Sequence, residues 1–296
     1  DICLMEKITS FRELMELLCG EKMGLAIEIA SAFFMYVLFS TMMAGVGATF
    51  RQVFNIPFTA AVVIASVLTF IALLFDMEGL LAVNGRLAPF LVAGGLLIGF
   101  FSLTRHAEPV FAAASRANWF TAAVVYASYN ILTAVPVLAA LSGLTPNRRT
   151  GMVSGLIGGG AMTVLGLSTA YPLLLYYAQI RQTEIPLLAI ARNFGNVFEM
   201  LYFVLILCAI FTTAVSNGFA LIRWMTDRLG APLLPAKIIL AAAGCCTAHI
   251  GFSLFVARVY PMFSMIGFLE IVLLFIAWQK SRKKNRTEKL DNMNHS

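Results

Sequence analysis

The chain has 296 residues, of which 60% are hydrophobic and 12% charged, with a mean hydropathy of +0.85. Soluble domains carry roughly 45–50% apolar and about 25% charged residues, so this composition excludes a soluble globular protein and indicates an integral membrane protein whose first partner is the lipid bilayer. The formal charge of +6 gathers in the C-terminal stretch "QKSRKKNRTEKLDNMNHS", a charged tail rather than a nucleic-acid-binding face.

Residues 1–23 carry acidic and basic side chains without a continuous apolar centre, unlike a signal peptide. Within them "SFRE", Ser10 to Glu13, reads as a capping box that opens a short amphipathic helix over 11–18, lying on the cytoplasmic membrane surface. Eight apolar runs follow, at 24–46, 57–75, 79–103, 118–143, 150–177, 197–226, 234–255 and 258–279. Runs of about 20 residues close their backbone hydrogen bonds within helices, whereas barrel strands alternate over about 10. The fold class is therefore all-α, a polytopic bundle with three parts: a connector over 1–23, a transmembrane domain over 24–279 and a basic tail over 280–296.

With the tail placed in the cytoplasm, an even number of spans puts the N-terminus there too. Six basic residues then face outside, Arg51, Arg105, Arg116, Arg181, Arg192 and Arg258, while the other fifteen of the 21 face inside. That asymmetry follows the positive-inside rule. The outer segment 178–196 is too polar and too short to span, and its Ile185 to Ile190 run suits either an ordinary interfacial loop or a lid over an outward-facing cavity.

Polar groups inside a span cost free energy unless satisfied, so they usually face the bundle interior or a water-filled path. The fourth run holds Ser128, Tyr129, Asn130 and Thr133 near the expected midplane, followed by Pro136. A proline there removes a backbone donor and frees carbonyls near 132 and 133, so an interrupted helix is expected, the geometry by which discontinuous helices bind substrates at mid-depth. The other reading is a proline kink satisfied by neighbouring hydroxyls. In the sixth run Thr213, Ser216 and Asn217 share one helical face and could offer oxygens to a cation such as sodium, or bond back to their own preceding turn. Gly151, Gly155 and Gly159, and separately Gly95 and Gly99, have the spacing that lets a neighbouring helix approach closely. His249 and Glu270 are the deepest ionisable residues of the last third, and either a proton relay or plain structural hydrogen bonding would account for them.

The five cysteines show no metal or disulfide spacing, and no hydrolase, zinc-protease or nucleotide-loop motif is present. No enzyme activity, metal or organic cofactor is expected, and the only bound ions foreseen are coupling Na+ or H+.

Four segments together, "FSTMMAGVGATFRQVFNIPF" (39–58), "DMEGLLAVNGRLAPFLV" (76–92), "AAVVYASYNILTAVPVLAALSG" (122–143) and the Gly-rich start of the fifth run, resemble the YkvI-like family of bacterial membrane proteins. That resemblance implies the amino acid–polyamine–organocation superfamily, with the LeuT fold of two inverted five-helix repeats, in a bacterial cytoplasmic membrane. The eight helices would be the third to tenth of the ten-helix core, both termini cytoplasmic. The fourth would match the broken helix that opens the second repeat, the sixth the helix whose hydroxyls help bind sodium, and 178–196 the outer lid. The family's Gly-rich interruption of the first helix, near "GAGFASGQE", has no counterpart here, so the first two helices are expected to be absent from this sequence. The function implied is secondary active transport of a small solute such as an amino acid, by cation symport, and the alternative is a receptor or scaffold of the same fold that binds a ligand without moving it.

Overall fold

The computed structural model describes residues 2–6, 8, 10–75, 77–104, 118–142 and 145–294, and all regular structure among them is helical. The order is α1 (Ile2–Glu6), α2 (Phe11–Cys19), α3 (Glu21–Phe54), α4 (Phe58–Leu74), α5 (Met77–Leu103), α6 (Trp119–Leu141), α7 (Arg148–Leu175), α8 (Tyr177–Ile180), α9 (Pro186–Ala191), α10 (Asn196–Leu229), α11 (Leu233–Ala248), α12 (Phe252–Leu254) and α13 (Tyr260–Asn294). A 3-10 turn (Arg192–Phe194) precedes α10 and a π-helical turn (Phe255–Val259) precedes α13.

The eight apolar runs coincide with α3, α4, α5, α6, α7, α10, α11 and α12 to α13. Among the described residues five stretches are long and apolar enough to cross a membrane: α3, 119–139 of α6, α7, α10 and 252–280. The helices over 58–74, 89–103 and 233–248 are apolar but shorter. At about 1.5 Å per residue the 17 residues of α4 reach about 26 Å, against a hydrocarbon core of about 30 Å. The seventh run also ends early, at Ala248 instead of 255. Gly251 follows with φ of 97°, a left-handed backbone that breaks the helix and that glycine adopts without steric cost.

The chain divides into two compact units. Unit 1 comprises residues 1–34, 117–158 and 259–296; unit 2 comprises 35–116 and 159–258. In unit 1, α2 forms as its sequence predicts: Ser10 Oγ accepts the Glu13 N–H at 3.2 Å and Leu14 and Met15 are buried. They pack with Ile27 of α3 and with Val135 and Ala139 of α6.

In unit 2 the fully buried ring of Phe39 on α3 is wedged against Gly218 of α10 and Gly244 of α11. Gly95 and Gly99 of α5 lie against Leu165 and Ser168 of α7, the close approach their spacing predicts. The second glycine series differs: Gly155 and Gly159 of α7 have nothing within 4 Å. Residues 178–196 fold into α8, α9 and the 3-10 turn, burying Ile180, Leu188, Ile190 and Ala191 within this unit. Gln52 at the end of α3 fastens the segment, its side-chain amide donating to the Ile185 carbonyl at 3.0 Å and accepting the Ile185 N–H at 3.1 Å. Beside it Arg51 pairs with Glu184 at 2.8 Å.

Candidate functional site

α6 begins where the Asn118 side chain accepts the Phe120 N–H, and it runs through Pro136 without a break. The expected interruption near 132 and 133 is therefore corrected to a continuous helix. The reason is local: a proline takes away one N–H, and the neighbouring polar side chains bond within the same helix rather than opening it. Ser128 Oγ donates to the Val124 carbonyl at 2.6 Å, Asn130 Nδ2 to Tyr126 at 2.7 Å and Thr133 Oγ1 to the Asn130 carbonyl at 3.0 Å. Ser128 is buried, Tyr129 and Thr133 are half-buried, and Asn130 is exposed.

Tyr129 belongs to an aromatic cluster of unit 1. Its ring stands 5.4 Å from those of Tyr126 and Tyr260 and 6.4 Å from Phe34, all near edge-on. Such rings contribute beyond the area they bury and place a tyrosine at the α3, α6 and α13 junction. A Cβ at Gly267 of α13 would collide with the Ser128 carbonyl, so α6 and α13 meet through their main chains here. Glu270 lies one turn further along α13, fully buried.

The second polar cluster sits on α10 in unit 2. Thr213 Oγ1 donates to the Ala209 carbonyl at 2.7 Å and Asn217 Nδ2 to the Thr213 carbonyl at 2.8 Å, the back-bonded arrangement. Ser216 on the same helix is half-buried. His249 is exposed just past the end of α11, with Nδ1 2.9 Å from the Cys245 carbonyl and its ring edge-on to Phe58. The structure thus gathers Ser128, Tyr129, Asn130, Thr133 and Glu270 in unit 1, and Thr213, Ser216, Asn217 and His249 in unit 2.

One polar group escaped the sequence reading. Within unit 2, Tyr36 Oη lies 3.0 Å from Thr247 Oγ1, which stands 2.7 Å from Ser40 Oγ and 2.9 Å from the Ala243 carbonyl. The signal was present, since Tyr36 and Ser40 are four residues apart on one face of α3. Their partner is 211 residues away, beyond the reach of any local pattern.

The chain is 29% identical over 275 residues to an uncharacterized protein, YyaD, of Bacillus subtilis strain 168, a match that covers 90% of this chain and 79% of that one. It is 24% identical over 265 residues to an uncharacterized membrane protein, YkvI, of the same organism, covering 87% and 75%. The chain is thus similar over most of its length to a membrane protein, in agreement with the five stretches of spanning length among its described residues. No family model matches the sequence, and no solved structure matches it.

Proposed function

We propose that the chain is a secondary active transporter of a small solute, an amino acid or a close relative, driven by a coupled cation. In this reading all eight apolar helices cross the cytoplasmic membrane with both termini inside, as helices three to ten of a core built from two inverted repeats. The solute is held by Ser128, Tyr129, Asn130 and Thr133, and the cation by Thr213, Ser216 and Asn217.

The observation that carries the reading is how the chain passes between its two compact units. One passage falls at 158 and 159, inside the run Gly158, Gly159 and Gly160 of α7, and another at 258 and 259, inside the π-helical turn. Glycine weakens a helix by about 1 kcal/mol per residue, and π-helical turns recur at functional sites and bends. Alternating access needs bodies that move as units and connections that bend.

A receptor or scaffold of the same fold is the second reading. It is favoured by the back-bonding of Ser128, Asn130, Thr133, Thr213 and Asn217, each of whose side chains donates a hydrogen bond within its own helix. Uptake of radiolabelled amino acids into sealed vesicles decides between them. The transporter accumulates solute against a gradient under an imposed cation gradient and loses at least 10-fold in rate, about 1.4 kcal/mol, in Asn130→Ala and Ser216→Ala. Uptake that both variants leave unchanged rejects this assignment of sites; solute-dependent thermal stabilisation without accumulation supports the receptor.

A further inference from the structure

Glu270 is 0% exposed, and neither of its carboxyl oxygens has a hydrogen-bond partner among the described residues. It lies one turn past Gly267, where α13 and α6 touch through their main chains. Ile131 of α6 shares an apolar groove with Ile271 and Leu274 of α13, so the register sets Glu270 at the level of Ile131 and Leu132. At that level the Leu132 carbonyl lacks its helical donor, because Pro136 has no N–H.

An ionised carboxylate in such surroundings is strongly disfavoured unless a cation compensates it. The unit supplies none: among its described residues Arg12, Lys22, Arg148, Arg149 and Lys280 are all exposed. The ionisable groups brought inward by the elements packed around α13 are Cys3 from α1, Cys19 from α2, Glu28 from α3 and Tyr129 from α6, with no positive charge among them. A metal cation would need several oxygen ligands, and the side chains at this level, Ile131, Leu132, Val135 and Ile271, are apolar.

We propose that Glu270 is a proton-binding site of unit 1, holding its proton in the closed α6–α13 contact. The site goes beyond the transport reading, since a receptor of this fold could carry it equally well, and its test does not depend on solute movement. Infrared spectra of the detergent-purified full chain in near-neutral buffer should contain a carboxylic-acid C=O band. The band should shift when glutamate is labelled with 13C, vanish in Glu270→Gln and persist in Glu28→Gln. If Glu270→Gln does not fold, the labelled wild type and Glu28→Gln still decide, because a band that survives Glu28→Gln leaves Glu270, the one fully buried carboxyl among the described residues, to carry it. Absence of the band in the wild type, or its survival in folded Glu270→Gln, overturns the proposal. So does an absent band together with thermal stabilisation by sodium over choline chloride at equal ionic strength, which would make the occupant a sodium ion.

Discussion

Alanine substitutions at Gly99 and Gly159 measure how closely helices approach in unit 2. At Gly99 the new Cβ would stand 2.5 Å from the Ser168 carbonyl oxygen, 2.9 Å from its Cβ and 3.1 Å from its carbonyl carbon. Carbon–oxygen contacts settle at about 3.3–3.6 Å, so α5 and α7 must separate by roughly 0.8 Å, and main-chain atoms cannot rotate away. Overpacking of this kind costs about 1–3 kcal/mol. At Gly159 nothing lies within 4 Å, leaving only the gain of about 1 kcal/mol from replacing a helical glycine. That gain is common to both variants, so the difference between them isolates the overlap at about 1–3 kcal/mol. At about 2–4 °C per kcal/mol for large domains, Gly99→Ala should melt several degrees below Gly159→Ala. Thermal unfolding read by a thiol-reactive dye suits the protein, because Cys208 and Cys245 are only partly accessible in the folded state. Melting of Gly99→Ala above the wild type would refute the close approach of α5 and α7.

Three further outcomes are expected. Gln52→Ala removes both amide bonds to Ile185; hydrogen exchange at the Ile185 amide should speed at least 10-fold while the core of α10 is unchanged, and equal rates would mean that apolar packing alone holds 178–196. Thr247→Val strips the shared hydroxyl from Tyr36 and Ser40 and should destabilise by about 1–3 kcal/mol, whereas Cys245→Ala should cost less; the reverse order would argue against the hydroxyl group as a unit. At the end of α2, burial pushes the Cys19 thiol above its ordinary value. Because the thiolate is the nucleophile, alkylation of Cys19 should need more alkaline buffer than a cysteine peptide, and a midpoint at or below the peptide's would contradict that environment.

The positions of the helices were legible because the apolar runs are long and α2 has a side-chain cap in "SFRE". Gly95 and Gly99 were legible as a packing face for the same reason of spacing. The break at Gly251 was not: one glycine inside an apolar stretch does not announce a left-handed backbone, and the π-helical turn after it has no sequence signature. Nor could spacing tell whether Ser128, Asn130 and Thr213 turn outward or bond back, because rotamers decide that and several are allowed on one face. Phe39, wedged between Gly218 and Gly244, depends on residues nearly two hundred positions away. Such tertiary matches leave no local trace, which is why the hydroxyls of Tyr36, Ser40 and Thr247 escaped notice and why Glu270 could be singled out as deep but not as unpartnered.

The glycines of α7 pose the sharpest question about function. Gly158, Gly159 and Gly160 sit in succession inside a helix of 28 residues and forgo roughly 3 kcal/mol of helix propensity relative to alanine, although a Cβ at any of them would meet nothing within 4 Å among the described residues. Two physical gains could offset that loss. A neighbouring helix outside this chain could press against the bare face, or the run could serve as the place where α7 bends between unit 1 and unit 2. The two are separable with one substitution. If a neighbour presses there, Gly159→Ala weakens it, lowering both thermal stability and the apparent size of the detergent-purified particle. If the run bends, the same change leaves size unaltered and raises the melting temperature by about 2–4 °C, while slowing any solute uptake in sealed vesicles because the helix is stiffer. Stabilisation with unslowed uptake would refute the bend.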